Sequence, residues 1–267
     1  MLQNPTIEGL RTLKLDVMAQ GLIEQREHPD YQGLGFEERL GLLVDREVAE
    51  RENRRLQRYL KSAKLRAAAT VEDIDFRRRR GLEKSQVLSL AEGHWVTNNH
   101  AIVIVGPTGV GKTYLACALA HSAIRHGHTA LYLRAPRMFD DLAIARADGR
   151  LARLMASWAR VGVLVVDDFL LRPLSPDQAA DLLEVIEDRA QLRSTVVTSQ
   201  LPVSMWHEAL GDATIADAVL DRVLQHAHRI ELSGESMRRP PSADNPDEDG
   251  PVQRPSGRQR GGTETKK

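Results

Sequence analysis

The run "AIVIVGPTGVGKTYLACALA", Ala101 to Ala120, carries the residue types that can grip a polyphosphate. Glycines let a backbone turn sharply enough for its amides to point inward at one anion. A helix starting near Lys112 would aim its positive dipole end at the same anion. Lys112 would reach the β- and γ-phosphates of ATP as a point charge, and the Thr113 hydroxyl would ligate Mg2+. The expected nucleotide contacts are Gly106, Pro107, Thr108, Gly109, Val110, Gly111, Lys112, Thr113 and Tyr114. A chance glycine turn is a poor rival, because a β-rich run precedes this spacing and a helical run follows it.

A second acidic element stands downstream. "VGVLVVDDFLL" reads as an apolar strand ending in Asp167 and Asp168. Ligand groups gather at the carboxyl ends of parallel strands, so Asp167 would hold the metal, directly or through water. Asp168 would position and polarise the attacking water. A further strand, "STVVTSQLP", ends in Thr198, Ser199 and Gln200, any of which could touch the γ-phosphate or the water. Arg222 follows on a helical pattern. An arginine donated by a neighbouring subunit can stabilise a transferring phosphoryl group, but pattern alone favours a solvated helix arginine.

These groups need a scaffold. β-rich runs at Ile102–Val105, Ala130–Leu133, Val163–Val166, Thr195–Thr198 and Arg229–Leu232 alternate with helical segments. They are apolar without a strict period of two, the mark of a parallel sheet covered on both faces. Ser175, Pro176 and Gln178 mark one helix start as a cap, a first-position proline and a capping-box partner. Upstream, Asn4 and Pro5 mark another. Ile7, Leu10, Leu13, Val17 and Met18 follow at helical spacing, with Gly21 as the expected stop. A second helix is expected from Phe36, with Leu40, Leu43, Val44 and Val48 as one stripe, continuing through Leu56, Tyr59 and Leu60. The expected division is a helical domain over 1–70, an entry segment over 71–96, a phosphate-binding α/β core over 97–238 and a disordered tail over 239–267.

Composition narrows the class. The chain has 267 residues and is 42% hydrophobic, enough for a sizeable core, and its 37 basic residues balance 37 acidic ones. Its one cysteine, Cys117, excludes an internal disulfide framework and fits a reducing cytoplasm. No apolar run is long enough for a membrane span, and "MLQNPTIEGL" lacks a signal-peptide pattern. The expected location is the cytoplasm, with no membrane partner. The histidines lack zinc spacing. Charge is local: eleven basic and four acidic residues lie between Arg51 and Arg80. Arg54, Arg58, Lys61 and Arg66 could line a helical flank that neutralises nucleic-acid phosphates, with Lys64 a further candidate contact. Charge alone does not separate that from a solvated helix paired with Glu47 and Glu50. Arg134, Arg137, Arg146 and Arg150 form a second basic group, with Asp140, Asp141 and Asp148 interleaved.

Together, "GPTGVGKTYLACALA", "LVVDDF" and "STVVTSQLPVSMWHEALGDATIADAVLDRVLQHAHRIELSGESMR" resemble the IstB-type insertion-sequence ATPases. These transposition helper proteins are related to the DnaC-type helicase loaders within the AAA+ class. "LRTLKLDVMAQGL" and "DIDFRRRRGLEKSQVLSLAEGHWV" resemble the same family, so the likeness runs from about Pro5 to Arg238. It implies an α/β AAA+ P-loop core with a five-stranded parallel sheet, preceded by a small all-helical domain. It also implies ATP-driven assembly of several copies on double-stranded DNA, and presentation of the deformed DNA to a partner transposase. Hydrolysis then resets the assembly. The family's arginine finger falls on Arg222 and its nucleotide-sensing residue near Gln200, with Ser199 close. The resemblance also tips the basic stretch toward DNA and places Arg137 on a DNA-facing segment. Asp168 stands where most AAA+ proteins carry glutamate, which implies slow hydrolysis. No helical lid follows the last strand, leaving Arg238 and Arg239 as weak sensor candidates. A DnaC-like helicase loader is the alternative; low aromatic content, 4%, leans against a single-strand preference. A small-molecule kinase would need an acceptor pocket and a mobile lid, and neither is identifiable.

Overall fold

In a computed structural model describing residues 4–237, three helices come first. They are α1 (Pro5–Thr12), α2 (Asp16–Glu27) and α3 (Phe36–Ala63). Asn4 caps α1 by accepting from the Thr6 amide, with Pro5 in the first turn. The expected helix through Val17 and Met18 is broken by a turn at Leu13–Leu15, where Lys14 adopts φ 58°. Gly21 does not stop a helix. It lies buried inside α2, where a Cβ would come within 2.7 Å of Leu43 Cδ2, so it permits close approach of α2 to α3. Glu47 of α3 accepts from the Val17 and Met18 amides at the start of α2, placing a carboxylate on that helix's positive end. Of the expected α3 stripe only Leu43 is buried. Leu40, Val44 and Val48 stay 41%, 42% and 49% exposed, because the short α1–α2 pair covers one side of the helix.

The C-terminal half of α3 behaves differently. Leu56, Tyr59 and Leu60 pack on the core of the sheet domain, and Ala63 is fully buried there. After α4 (Lys84–Ala91) and α5 (His94–Thr97), strands and helices alternate as β1 (Ala101–Val105), α6 (Lys112–Arg125), β2 (Ala130–Arg134), α7 (Ala135–Ala147), α8 (Leu151–Ala159) and β3 (Val163–Phe169). The series ends with α9 (Pro176–Glu187), β4 (Ser194–Ser199), α10 (Trp206–Leu210), α11 (Ala213–Leu224) and β5 (Ala227–Glu231). The five strands are parallel in the order β2-β3-β4-β1-β5. Ser175 and Gln178 form the expected reciprocal cap of α9.

Both faces of the sheet are covered, as apolar strands without a strict period of two require. Ile102 and Ile104 of β1 face α6, while Val103 and Val105 face α7, α9 and α11. Among the buried polar groups, Arg189 donates to the carbonyls of Trp158, Val161 and Ser194 and to the Thr195 hydroxyl. Burial pulls its pKa down to about 9. Trp206 is fully buried, donates to the Leu201 carbonyl and meets Phe169 edge-on at 5.0 Å. Trp206→Ala is expected to cost about 3–5 kcal/mol of stability, read by urea unfolding. A loss below about 1 kcal/mol would mean that Trp206 does not brace the end of β3 through Phe169.

Candidate nucleotide site

The turn between β1 and α6 lies at the carboxyl end of the sheet, where parallel strands leave room for a ligand. Gly111 caps α6 with φ 100°, and a Cβ there would come within 2.5 Å of an Arg80 guanidinium nitrogen. Gly106, at φ 148°, runs so close to the Leu232 carbonyl that a side chain would collide with it. Only glycine fits at these two positions, and their positive φ values give the loop the sharp turn that an anion cradle needs. Lys112 Nζ donates to the carbonyls of Gly106 and Pro107, both at 2.7 Å, which holds the ammonium within the loop.

Asp167 is wholly buried at the end of β3. Three hydroxyls donate to its carboxylate: Thr113 at 2.9 Å and Thr198 at 2.5 Å to Oδ1, and Tyr132 at 2.5 Å to Oδ2. Burial first, then the bond to Asp167, push the Tyr132 phenol well above its ordinary pKa. Asp168 adopts φ 58°, a left-handed conformation that aspartate tolerates better than most residues. Its amide donates to Thr198 Oγ1 at 3.2 Å, and its carboxylate takes two bonds from Arg134, at 2.9 and 3.1 Å. Thr198 thus links the two aspartates. Gln200 accepts from the Thr108 hydroxyl at 2.7 Å. Ser199 turns away: it is buried, donates to the Phe169 carbonyl and accepts from the Leu201 amide.

A cavity of about 440 Å³ opens over this arrangement. Thr108, Lys112, Thr113, Tyr114, Asp168 and Gln200 line it, together with Asp73, Asp75 and Arg80 from the entry segment and Met237 from beyond β5. Arg80 is buried and donates to the Val110 and Asp75 carbonyls; burial lowers its pKa. The Met237 amide donates to the Gly109 carbonyl. Arg238 and Arg239 lie outside the described residues.

The residues present fit a hard divalent cation. Thr113 and Asp167 offer a hydroxyl and a carboxylate side by side, and the Arg66 guanidinium already lies 3.8 Å from Asp167 Oδ2. Among the described residues no cluster of three His, Cys, Asp or Glu could cage a metal. A cation held by one carboxylate, one hydroxyl and the ligand's own phosphates needs no such cage. Burial pushes the Cys117 thiol up and so makes it less reactive.

Other expected residues lie elsewhere. Arg222 is not at this site. It sits on α11, donating to Glu187 at 2.7 Å and the Ala218 carbonyl at 2.9 Å, beside Ala101 at the start of β1 and Thr195 in the first residues of β4. The length of β1, about 13 Å at the usual rise per residue, separates the two ends of the sheet there. Arg54, Arg58 and Lys61 are exposed on one flank of α3, and Arg54 pairs with Glu50 at 2.8 Å. The helix ends at Ala63, with Lys64 at φ 52°, so Arg66 leaves the expected stripe. Arg66 points into the Asp167 site instead. The second basic group is divided by local carboxylates, with Arg134 on Asp168, Arg137 on Asp141, Arg146 on Asp181 and Arg150 on Asp148. Sequence reasoning missed Tyr132, Arg134 and Arg80 as parts of the site. The one polar-tipped residue among the apolar positions of "ALYLR" was the signal for Tyr132, but its partner depends on strand order.

Fold and site together define a P-loop ATPase of the AAA+ type. The chain belongs to the IstB-like ATP binding protein family, whose pattern matches residues 8–244. A protein of Sinorhizobium fredii described as an insertion sequence ATP-binding protein is 48% identical over 239 residues, covering 90% of this chain and 98% of its own. One of Mycobacterium tuberculosis, described as an ATP-binding protein in an insertion sequence, is 34% identical over 231 residues, covering 86% and 92%. Among solved structures, DnaI superposes with a TM-score of 0.53 at 21% identity, covering 62% of this chain and 91% of that one. The DnaC helicase loader gives 0.51 at 18% identity, covering 66% and 98%. At these identities the two structures speak for the fold alone. Among the described residues no helix is long and apolar enough to cross a membrane.

Proposed function

We propose that this chain is an ATP-dependent helper of transposition. It assembles on double-stranded DNA, remodels it and presents it to a partner transposase, and ATP hydrolysis resets the assembly. The observation that carries this reading is the split site: Lys112, Thr113 and Asp167 gather at one end of the sheet, and Arg222 stands at the other. A nucleotide held by one copy can then meet the Arg222 of the next, which makes ATP a bridge between copies. The names of the insertion-sequence relatives support the transposition setting.

In this reading Gly106 to Tyr114 hold the phosphates, with Lys112 facing the β- and γ-oxygens. Thr113 and Asp167 hold Mg2+, which neutralises the charge that develops on the phosphates. Asp168 orients and polarises the attacking water once it shares or leaves Arg134. Gln200, tied to Thr108, is placed to sense the γ-phosphate; Ser199 supports the strand end that carries it. Arg54, Arg58, Lys61 and Lys64, with the exposed Arg137, contact DNA phosphates.

The test is sedimentation of the chain with ATP and Mg2+ on duplex and single-stranded DNA at matched salt. Large nucleotide-dependent complexes are expected on duplex. Their absence overturns the reading, and a preference for single strands would favour the helicase-loader alternative. Replacing Arg54, Arg58 and Lys61 by alanine together should flatten the slope of log affinity against log salt by up to about three, roughly one for each phosphate no longer neutralised. An unchanged slope would remove α3 from the DNA interface.

A further inference from the structure

Arg66 occupies a position that a surface DNA contact does not explain. Its side chain is 45% exposed, yet its guanidinium lies 3.8 Å from a carboxylate with no exposure at all. The three hydroxyls on Asp167 are neutral donors, so they satisfy its lone pairs without cancelling its charge. Arg66 supplies a positive charge.

The segment carrying Arg66 joins α3 to the ATPase core. Ala63 and Ala69, both buried, pin it on either side. In the last turn of α3, Lys61 begins the exposed basic flank that continues back through Arg58 and Arg54. Two cations near one buried carboxylate repel each other strongly where water is excluded. A guanidinium also binds phosphate in the same forked geometry that it uses for carboxylate.

We propose that Arg66 is a positioning residue that alternates between Asp167 and a DNA phosphate, so that duplex on the α3 flank frees Asp167 for the divalent cation arriving with ATP. The inference rests on the proposed function and adds to it a route from DNA to the metal site. Linkage makes the effect reciprocal: nucleotide with Mg2+ displaces Arg66 from Asp167 and leaves it available to DNA.

Two binding measurements test it without turnover. One is calorimetry of a non-hydrolysable ATP analogue across a Mg2+ series, with and without duplex. The other is fluorescence anisotropy of labelled duplex, with and without the analogue. In the native chain, duplex should lower the Mg2+ needed for half-maximal nucleotide binding by about fivefold or more, and the analogue should tighten duplex binding by the same factor. In Arg66→Gln the low Mg2+ requirement should appear without DNA, and both coupling factors should shrink to below about twofold. Arg66→Lys keeps a cation at the position and should retain part of the coupling. Thermal melting of both variants checks that they are folded. If Arg66→Gln keeps the native Mg2+ requirement and the native coupling, Arg66 is a structural ion pair and the proposal is overturned. If the native chain itself shows no Mg2+-dependent nucleotide binding, the reading of the site falls first.

Discussion

Lys112→Ala is expected to abolish ATP binding while leaving the fold intact. Lys112 is only 7% exposed and its ammonium touches two loop carbonyls, so the site that would take the phosphates already has its positive charge in place. Removing it leaves the triphosphate facing loop amides and a helix end, with the only other cation lining the cavity among the described residues, Arg80, already tied to the Val110 and Asp75 carbonyls. Truncating one partner of a buried, hydrogen-bonded charge pair costs about 2–5 kcal/mol, or roughly 30- to 5,000-fold in affinity. The fold loses less, because the ammonium's bonds to Gly106 and Pro107 are to carbonyls at the edge of a cavity. Calorimetry should therefore find no measurable ATP binding in a variant whose melting curve stays near that of the parent. Arginine is no substitute: its planar fork needs more room than a point charge in a loop turned this tightly around Gly106 and Gly111. Unchanged ATP affinity in the alanine variant would refute the phosphate cradle.

This part of the molecule could be read from the sequence because its chemistry is local. The loop glycines, Lys112 and Thr113 are fixed by spacing along one turn, and Asp167 by the end of one strand. The caps at Asn4 and Ser175 are equally local and form as expected. Residues whose meaning depends on a distant segment were misread or missed. Gly21 looks like a helix stop until Leu43 arrives against it. Leu40, Val44 and Val48 share the periodicity of buried residues, yet among the described residues no element buries them. Arg66 extends a helical stripe by spacing alone, because nothing in "KSAKLRAAA" announces that Lys64 turns into a left-handed conformation. Tyr132 joins the site through the pairing of β2 with β3, which no local pattern specifies. Ser199 and Gln200 are adjacent in sequence, but Ser199 ends β4 and packs inside, while Gln200, just past the strand, lines the cavity.

Arg222→Ala is expected to leave ATP affinity unchanged and to remove most of the hydrolysis that assembly stimulates. The isolated chain holds Arg222 at the end of the sheet away from Lys112, bound to Glu187 in a pair 32% and 47% exposed. Such a pair contributes at most about 1 kcal/mol, so a neighbouring nucleotide can draw the guanidinium away at little cost. An arginine supplied in trans accelerates phosphoryl transfer by roughly 10³–10⁵. The loss should therefore appear in turnover on DNA and not in calorimetry of the free chain. The decisive form of the experiment mixes Arg222→Ala with Asp168→Ala, each inactive alone. At a head-to-tail seam the first keeps Asp168 and the second keeps Arg222, so about a quarter of the seams in a random mixture are complete. Hydrolysis should return to a corresponding fraction of the native rate. If it stays at the level of either variant alone while both still assemble on duplex, the nucleotide is not shared between copies. Arg222 would then be a surface arginine whose partner is Glu187.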